Sequence, residues 1–207
     1  MPKNTSKLAT YALNPIRSLG QYSLFTTSAL FLIFQRKQLR SIAQHIYSIG
    51  VSSTIIITLV ALFTGMVLGL QLYYTLIKFG AVGALGSAVS LTLIRELGPV
   101  LAAIMITARA GSAMSTEIGV QRITEQIDAL TTMGINPVRY LVSPRLMAAV
   151  ISFPILTTLF DLVGIMGAYL SSVLLLGLDK GTYFYRVQSS IVMEDIRGGL
   201  IILVAHW

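Results

Sequence analysis

Residues 46–70 read IYSIGVSSTIIITLVALFTGMVLGL, and the uncharged run around them extends from 41 to 77. As one helix, 46–70 rises about 37 Å at about 1.5 Å per residue, enough to cross the hydrocarbon of a bilayer with some tilt. The run holds Gly65 and Gly69, a GxxxG pair that lies on one helical face and lets a second backbone approach closely. Because glycine is common in membrane helices anyway, the pair by itself is weak evidence for packing.

Composition extends this reading to the whole chain. Of its 207 residues, 55% are apolar and only 11% are charged, and the mean hydropathy is +0.78. So few charges cannot cover a soluble domain of this size, and the bilayer must serve as part of the solvent. A disordered protein, a disulfide scaffold and an ordinary cytosolic enzyme are excluded. With no cysteine there is no thiolate metal site or cysteine nucleophile. His45 and His206 are far apart, and no carboxylate partners suggest a metal cluster.

Two further segments look able to span. One, 87–108, is interrupted by Arg95-Glu96 and then Gly98-Pro99. A charge at that depth costs several kcal/mol unless it is paired or hydrated. Arg95 and Glu96 therefore either neutralise one another within the bundle or line a polar substrate cavity, and the proline loosens the helix there. The other, 146–178, is apolar apart from Asp161 and contains Pro154 as a source of a kink. An earlier stretch, 18–34, has basic residues on both sides and only marginal length. It either spans or, as its flanks favour, lies in the interface. The fold expected is an all-α integral membrane protein: an N-terminal cytoplasmic or interfacial segment (1–43), then a transmembrane region (44–207).

Between the second and third spans, 109–145 reads as a polar loop. Within it, 124–133 predicts a short helix with Thr124 as N-cap, Glu125 and Asp128 near its positive end, Gly134 as C-cap and Pro137 beyond. Ile123, Ile127 and Leu130 form a narrow apolar stripe, suited either to resting on the protein's own membrane domain or to docking a soluble partner. A second polar stretch, 179–197, carries six charges. Ten Lys/Arg fall in the N-terminal segment and the 109–145 region, against Lys78 and three in 179–197. The positive-inside rule then puts the N-terminus and the short helix in the cytoplasm. Charges that flank apolar spans in this way do not form a nucleic-acid-binding face.

Six motifs, in order, carry a specific resemblance: Gly65-Met-Val-Leu-Gly-Leu-Gln71, Leu93-Ile-Arg-Glu-Leu-Gly-Pro-Val100, Ala108-Arg-Ala-Gly-Ser-Ala113, Glu117-Ile-Gly119, Thr124-Glu-Gln126 and Ser143-Pro-Arg145. Together they resemble the permease subunit of the MCE-associated lipid ABC transporters, the MlaE/YrbE family. The resemblance implies a homodimeric, multi-pass permease of the Gram-negative inner membrane. Its implied partners are a cytoplasmic ABC ATPase, a STAS-domain protein and a periplasmic MCE-domain protein. The implied substrate is phospholipid, moved between membranes to maintain outer-membrane asymmetry. The chain has no Gly-x-x-x-x-Gly-Lys-[Ser/Thr] loop of its own, so it is expected to be no enzyme and to hold no cofactor, ATP being bound by the partner.

By the same resemblance, Glu125, Gln126, Ile127 and Asp128 belong to a coupling helix that meets the ATPase. Leu68, Gln71, Thr75, Leu76, Phe79, Glu96 and Leu97 line a lipid pocket at the dimer interface. The pattern weakens after Glu194, so C-terminal helices of the family are expected to be missing. Two other readings stay open: an ATP-independent carrier or channel using Arg95, Glu96 and Asp161, and a non-transporting membrane scaffold.

Overall fold

The computed structural model describes residues 39–192, 194–195 and 197–199. The 18–34 segment and most of the run after Gly198 lie outside the described residues. Among those described there is no strand, and three helices are long and apolar enough to cross a membrane.

The first, Ile42–Lys78, joins α1 (Leu39–Ile46) to α2 (Ser52–Lys78) through a wide π turn. The second, Val82–Ile123, strings together α3 (Leu85–Thr92), α4 (Gly98–Ile106) and α5 (Ser112–Ile123). The third, Tyr140–Leu175, is built on α7 (Ser143–Tyr169), with Pro154 inside it. Between the second and third lies α6 (Gln126–Thr132), and after the third comes α8 (Lys180–Ser190).

A π turn at Leu93–Leu97 separates α3 from α4, two residues before Pro99. Proline has no N–H to give, and its ring collides with the carbonyl four residues back, so a widened turn there relieves the clash. The loosening expected at Gly98-Pro99 therefore takes the form of a bulge and not a break. It falls on Arg95 and Glu96 and sets the direction of both.

α2 and α7 form the central pair. Ala61, Gly65 and Gly69, one turn apart, are all buried. A Cβ on Gly65 would run into the carbonyl of Gly164, and one on Gly69 would meet the backbone of Ala168 at 3.0 Å. From the other side, Gly167 lies against the Leu62 carbonyl. The GxxxG pair thus works as a packing face, answered by Gly164, Gly167, Ala168 and Ser171 on α7. Ile57 and Phe160 extend the seam, and Leu93, Ala102 and Ile106 of the second helix close over it.

Three expectations need correction. The polar region begins not as a loop but as helix: α5 continues unbroken to Ile123, because Ser112–Ile123 contains no proline and its charged side chains can reach water. Thr124 does not cap α6, since its hydroxyl donates backwards to the Val120 carbonyl at 2.8 Å. Glu125 takes the N-cap place with φ +58° and makes no side-chain cap. Ile123 accordingly ends α5, 83% exposed, and is not on the stripe with Ile127 and Leu130. At the other end Gly134 does close α6, in the left-handed region at φ +73°, with its N–H donating to Thr131 and that of Ile135 to Leu130.

The second polar stretch is also more ordered than its charges suggest. Asp179 caps α8, its Oδ2 accepting from the Thr182 N–H at 2.7 Å and the Thr182 hydroxyl at 2.9 Å. Those two bonds hold its carboxyl below the usual range. Tyr183 is fully buried and donates to the Ile165 carbonyl at 2.9 Å. Burial pushes its phenol up. Ser190 and Ser90 meet at 3.1 Å, so α8 lies along α3.

Candidate functional site: an open groove beside the intramembrane charges

α2 turns a second face away from the seam. Thr64, Leu68 and Gln71 recur at i, i+4 and i+7, and with Phe63 and Val67 they face Leu97 across an open groove of about 350 Å³. Most of the lining is apolar, with the Thr64 hydroxyl and the Gln71 amide as polar points, a mixture suited to an amphipathic ligand. Leu97 reaches this place from the π turn.

Of the residues nominated from the sequence, the structure brings Leu68, Gln71 and Leu97 into this groove. Phe63, Thr64 and Val67 were missed, although the spacing of Thr64 and Leu68 was a usable signal. Thr75 lies one turn beyond, its hydroxyl donating to the Gln71 carbonyl at 2.9 Å. Leu76 is half-buried against the core, and Phe79, just past the end of α2, is 77% exposed. Glu96 is exposed beside Leu97 and has no hydrogen bond or ion pair among the described residues.

Arg95 does not neutralise its neighbour. Its Nε donates to Asp195 Oδ1 at 2.6 Å and a second guanidinium nitrogen pairs with the same oxygen. The partner is exactly 100 positions away in sequence and buried, so no local pattern announces it. The Val192 N–H donates to Asp195 Oδ2 at 3.1 Å. That bond first, and Arg95 second, hold the Asp195 carboxyl below its usual range.

Asp161 stands apart on α7. It lines a small apolar cavity of about 190 Å³ with Ile94, Pro99 and Thr157, and its Oδ1 is buried without a hydrogen-bond partner. Gly98 lies directly against that oxygen. Arg95, Glu96 and Asp161 therefore do not join into a chain of paired charges.

At the end of the bundle that carries α6, Arg145 is buried and pairs with Glu117 at 2.6 Å. Arg109 donates to Ser53 Oγ at 3.2 Å. α6 itself is open to solvent along Gln126 and Asp128, while Ile127 and Leu130 are half-buried. Asp128 is ion-paired with Arg122 of α5, which fastens the short helix to the long one. Met133 and Ile135 stay exposed beside it. Among the described residues no group of His, Cys, Asp and Glu is placed to hold a metal.

Comparisons with known proteins cover most of the chain. The profile of the family described as Permease MlaE matches residues 42–205. The chain is 41% identical to the intermembrane phospholipid transport system permease protein MlaE of Haemophilus influenzae, across 95% of this chain and 76% of that protein. It is 37% identical to a probable ABC transporter permease protein of Rickettsia conorii, across 89% of this chain and 72% of the other. A probable ABC transporter permease protein of Synechocystis is 38% identical across 84% of this chain and 67% of its own length.

Proposed function

The chain belongs to the MlaE permease family, and on that premise we propose that it is the membrane-spanning permease subunit of an ABC-type system that moves phospholipid between membranes. The observation that carries the reading to particular residues is the groove of Leu68, Gln71 and Leu97 beside the unpaired Glu96. An acyl chain finds apolar lining there, and a headgroup finds hydroxyl, amide and carboxylate.

The chain performs no hydrolysis in this proposal. A separate cytoplasmic ATPase binds ATP and presses on α6, where Glu125, Gln126, Ile127 and Asp128 supply the contact. The exposed face of α6 and its attachment to α5 by Arg122–Asp128 suit a lever that passes movement into the second helix. The permease sits in the inner membrane of a Gram-negative cell as a homodimer, with the groove at the dimer interface. An MCE-domain protein meets it on the periplasmic side and a STAS-domain protein on the cytoplasmic side.

Photo-crosslinking residues test the pocket. Placed at Leu68, Gln71 or Leu97, in this chain and at the matching positions of the Haemophilus relative, they should capture phospholipid saturably. Ile104, exposed on the outer surface of α4, should capture far less. Equal, non-saturable capture at all four positions in both proteins would reduce the groove to ordinary lipid-facing surface.

A further inference from the structure

A buried arginine at the α6 end of the bundle has hydrogens with no acceptor. Arg145, at the start of α7, is only 3% exposed. Its Nη2 pairs with Glu117, but its Nε and Nη1 are buried with no hydrogen-bond partner. A guanidinium offers five N–H donors and cannot shed its proton, so those unmade bonds are a standing cost. Glu117 offsets the charge only in part, being half exposed to solvent.

Arg145 lies on the wall of a cavity of about 270 Å³ whose other lining is almost wholly apolar: Met114 of α5 and Leu146, Ala149 and Phe153 of α7, with Thr107 as the one hydroxyl. Ala110 and Met114 also border a second cavity of about 550 Å³, on which Arg109, His45 and Glu117 stand. The guanidinium groups of Arg109 and Arg145 thus border these two cavities against the single carboxylate of Glu117. The local field favours an anion, and the apolar cavity next to Arg145 favours a ligand whose remainder is hydrocarbon.

We propose that this cavity is a second ligand site, separate from the groove near Leu97, which takes a phosphate-bearing amphiphile with its head on Arg145 and the start of its tail among Leu146, Ala149 and Phe153. Phosphate suits it because its charged oxygens are strong acceptors for a guanidinium N–H that has no other partner, and the arginine keeps its charge. The site requires no transport, and its test reads none, so it stands or falls apart from the permease reading.

The test uses the purified full chain in uncharged detergent, titrated calorimetrically with hexyl phosphate, inorganic phosphate and hexanol. The wild-type chain should bind hexyl phosphate saturably, at least tenfold more tightly than inorganic phosphate, and should bind hexanol without saturation. Arg145→Met, which keeps the bulk and removes the donors, should weaken hexyl phosphate at least tenfold. Ala149→Leu leaves the Arg145–Glu117 pair intact and projects into the cavity, and it should bring hexyl phosphate down to the level of inorganic phosphate. If Arg145→Met fails to fold, Ala149→Leu alone carries the test. Indistinguishable titrations with hexyl phosphate and hexanol would overturn the site. Equal affinity for hexyl phosphate and inorganic phosphate, unmoved by Ala149→Leu, would overturn the amphiphile and assign the anion to free phosphate.

Discussion

The two faces of α2 are made from nearly the same apolar alphabet and do opposite things. One carries Ala61, Gly65 and Gly69 and is closed against α7 to the point where a methyl group has nowhere to go. The other carries Phe63, Val67 and Gln71, all exposed, and opens on Leu97. Hydrophobicity does not separate them, because hydrocarbon gives no hydrophobic drive between helices; side-chain size does. Small residues mark where the chain is sealed to itself, and large exposed ones mark where something else is to lie. Substitutions on a sealed face should cost stability, and those on an open face should cost only function.

The severest break is Gly65→Leu. The new side chain has to displace the Gly164 backbone, which belongs to a rigid helix and cannot give way as a side chain would. Overpacking against backbone should cost about 3 kcal/mol or more, seen as lost monodisperse protein or a collapsed denaturation midpoint. A midpoint unchanged from wild type would mean that the α2–α7 seam is not closed.

The next largest effect is expected where Arg95 reaches across to Asp195. Arg95→Ala strands a buried carboxylate, so it should lower the melting temperature at pH 7 more than Asp195→Asn, which removes the charge as well. The pH dependence has a definite sign. Asp195 is held below its ordinary value, so its contribution is present above the unfolded pKa of about 3.9 and is lost as pH falls through the lower, folded one. The gap between wild type and Asp195→Asn should therefore be full at pH 7 and shrink below about pH 4. A gap that stays constant down to pH 2, on the order of two units under the reference value, would detach the stability from this carboxylate.

The spans, the polar α6 region and the glycine face were all legible in the sequence, because period, charge and side-chain size are local properties. The answering stripe on α7 was not, since Gly164, Gly167, Ala168 and Ser171 become a face only once α2 lies against them. The partner of Arg95 was not legible for the same reason: neutralisation by Glu96 was only one of two open readings, and a partner at Asp195 exists only after α8 folds back along α3. Leu68, Gln71 and Leu97 were nominated from family likeness, and the Thr64–Leu68–Gln71 spacing would have added Thr64 from periodicity. Arg145 stood in a noted motif, but nothing in the letters shows two of its nitrogens buried without acceptors.

A smaller, opposite effect is expected at α6, an open region held at one awkward residue. Glu125 occupies the left-handed region at φ +58° with no cap bond in return. Glu125→Gly should raise stability by about 1 kcal/mol through relief of that strain. If α6 docks the ATPase as proposed, the same change removes the charge offered to it, so coupling of hydrolysis to lipid movement should fall while the fold gains. A variant that gains stability and keeps full coupling would leave Glu125 with no docking role. One that loses stability would place α6 among the sealed regions.

The smallest stability effect belongs to the open face itself. Val67, 60% exposed, lines the groove one position from Leu68 and two from Gly65 along the same helix. Val67→Trp adds nearly as much volume as a leucine at Gly65, yet it does so at an exposed position on the open groove and should move the denaturation midpoint by no more than about 0.5 kcal/mol. Its consequence should lie in occupancy: the indole fills the space that a lipid chain would take, and photo-capture from Leu97 should fall at least fivefold. Ile104→Trp, on the outer surface of α4, should alter neither stability nor capture. If Val67→Trp damaged the fold as badly as Gly65→Leu, this face would be packed against another part of the assembly, and side-chain size would no longer tell the sealed side of α2 from the open one. If it left capture at Leu97 untouched, lipid would reach Leu97 by a route that does not pass Val67, and the groove would have to be redrawn on the Glu96 side of the π turn.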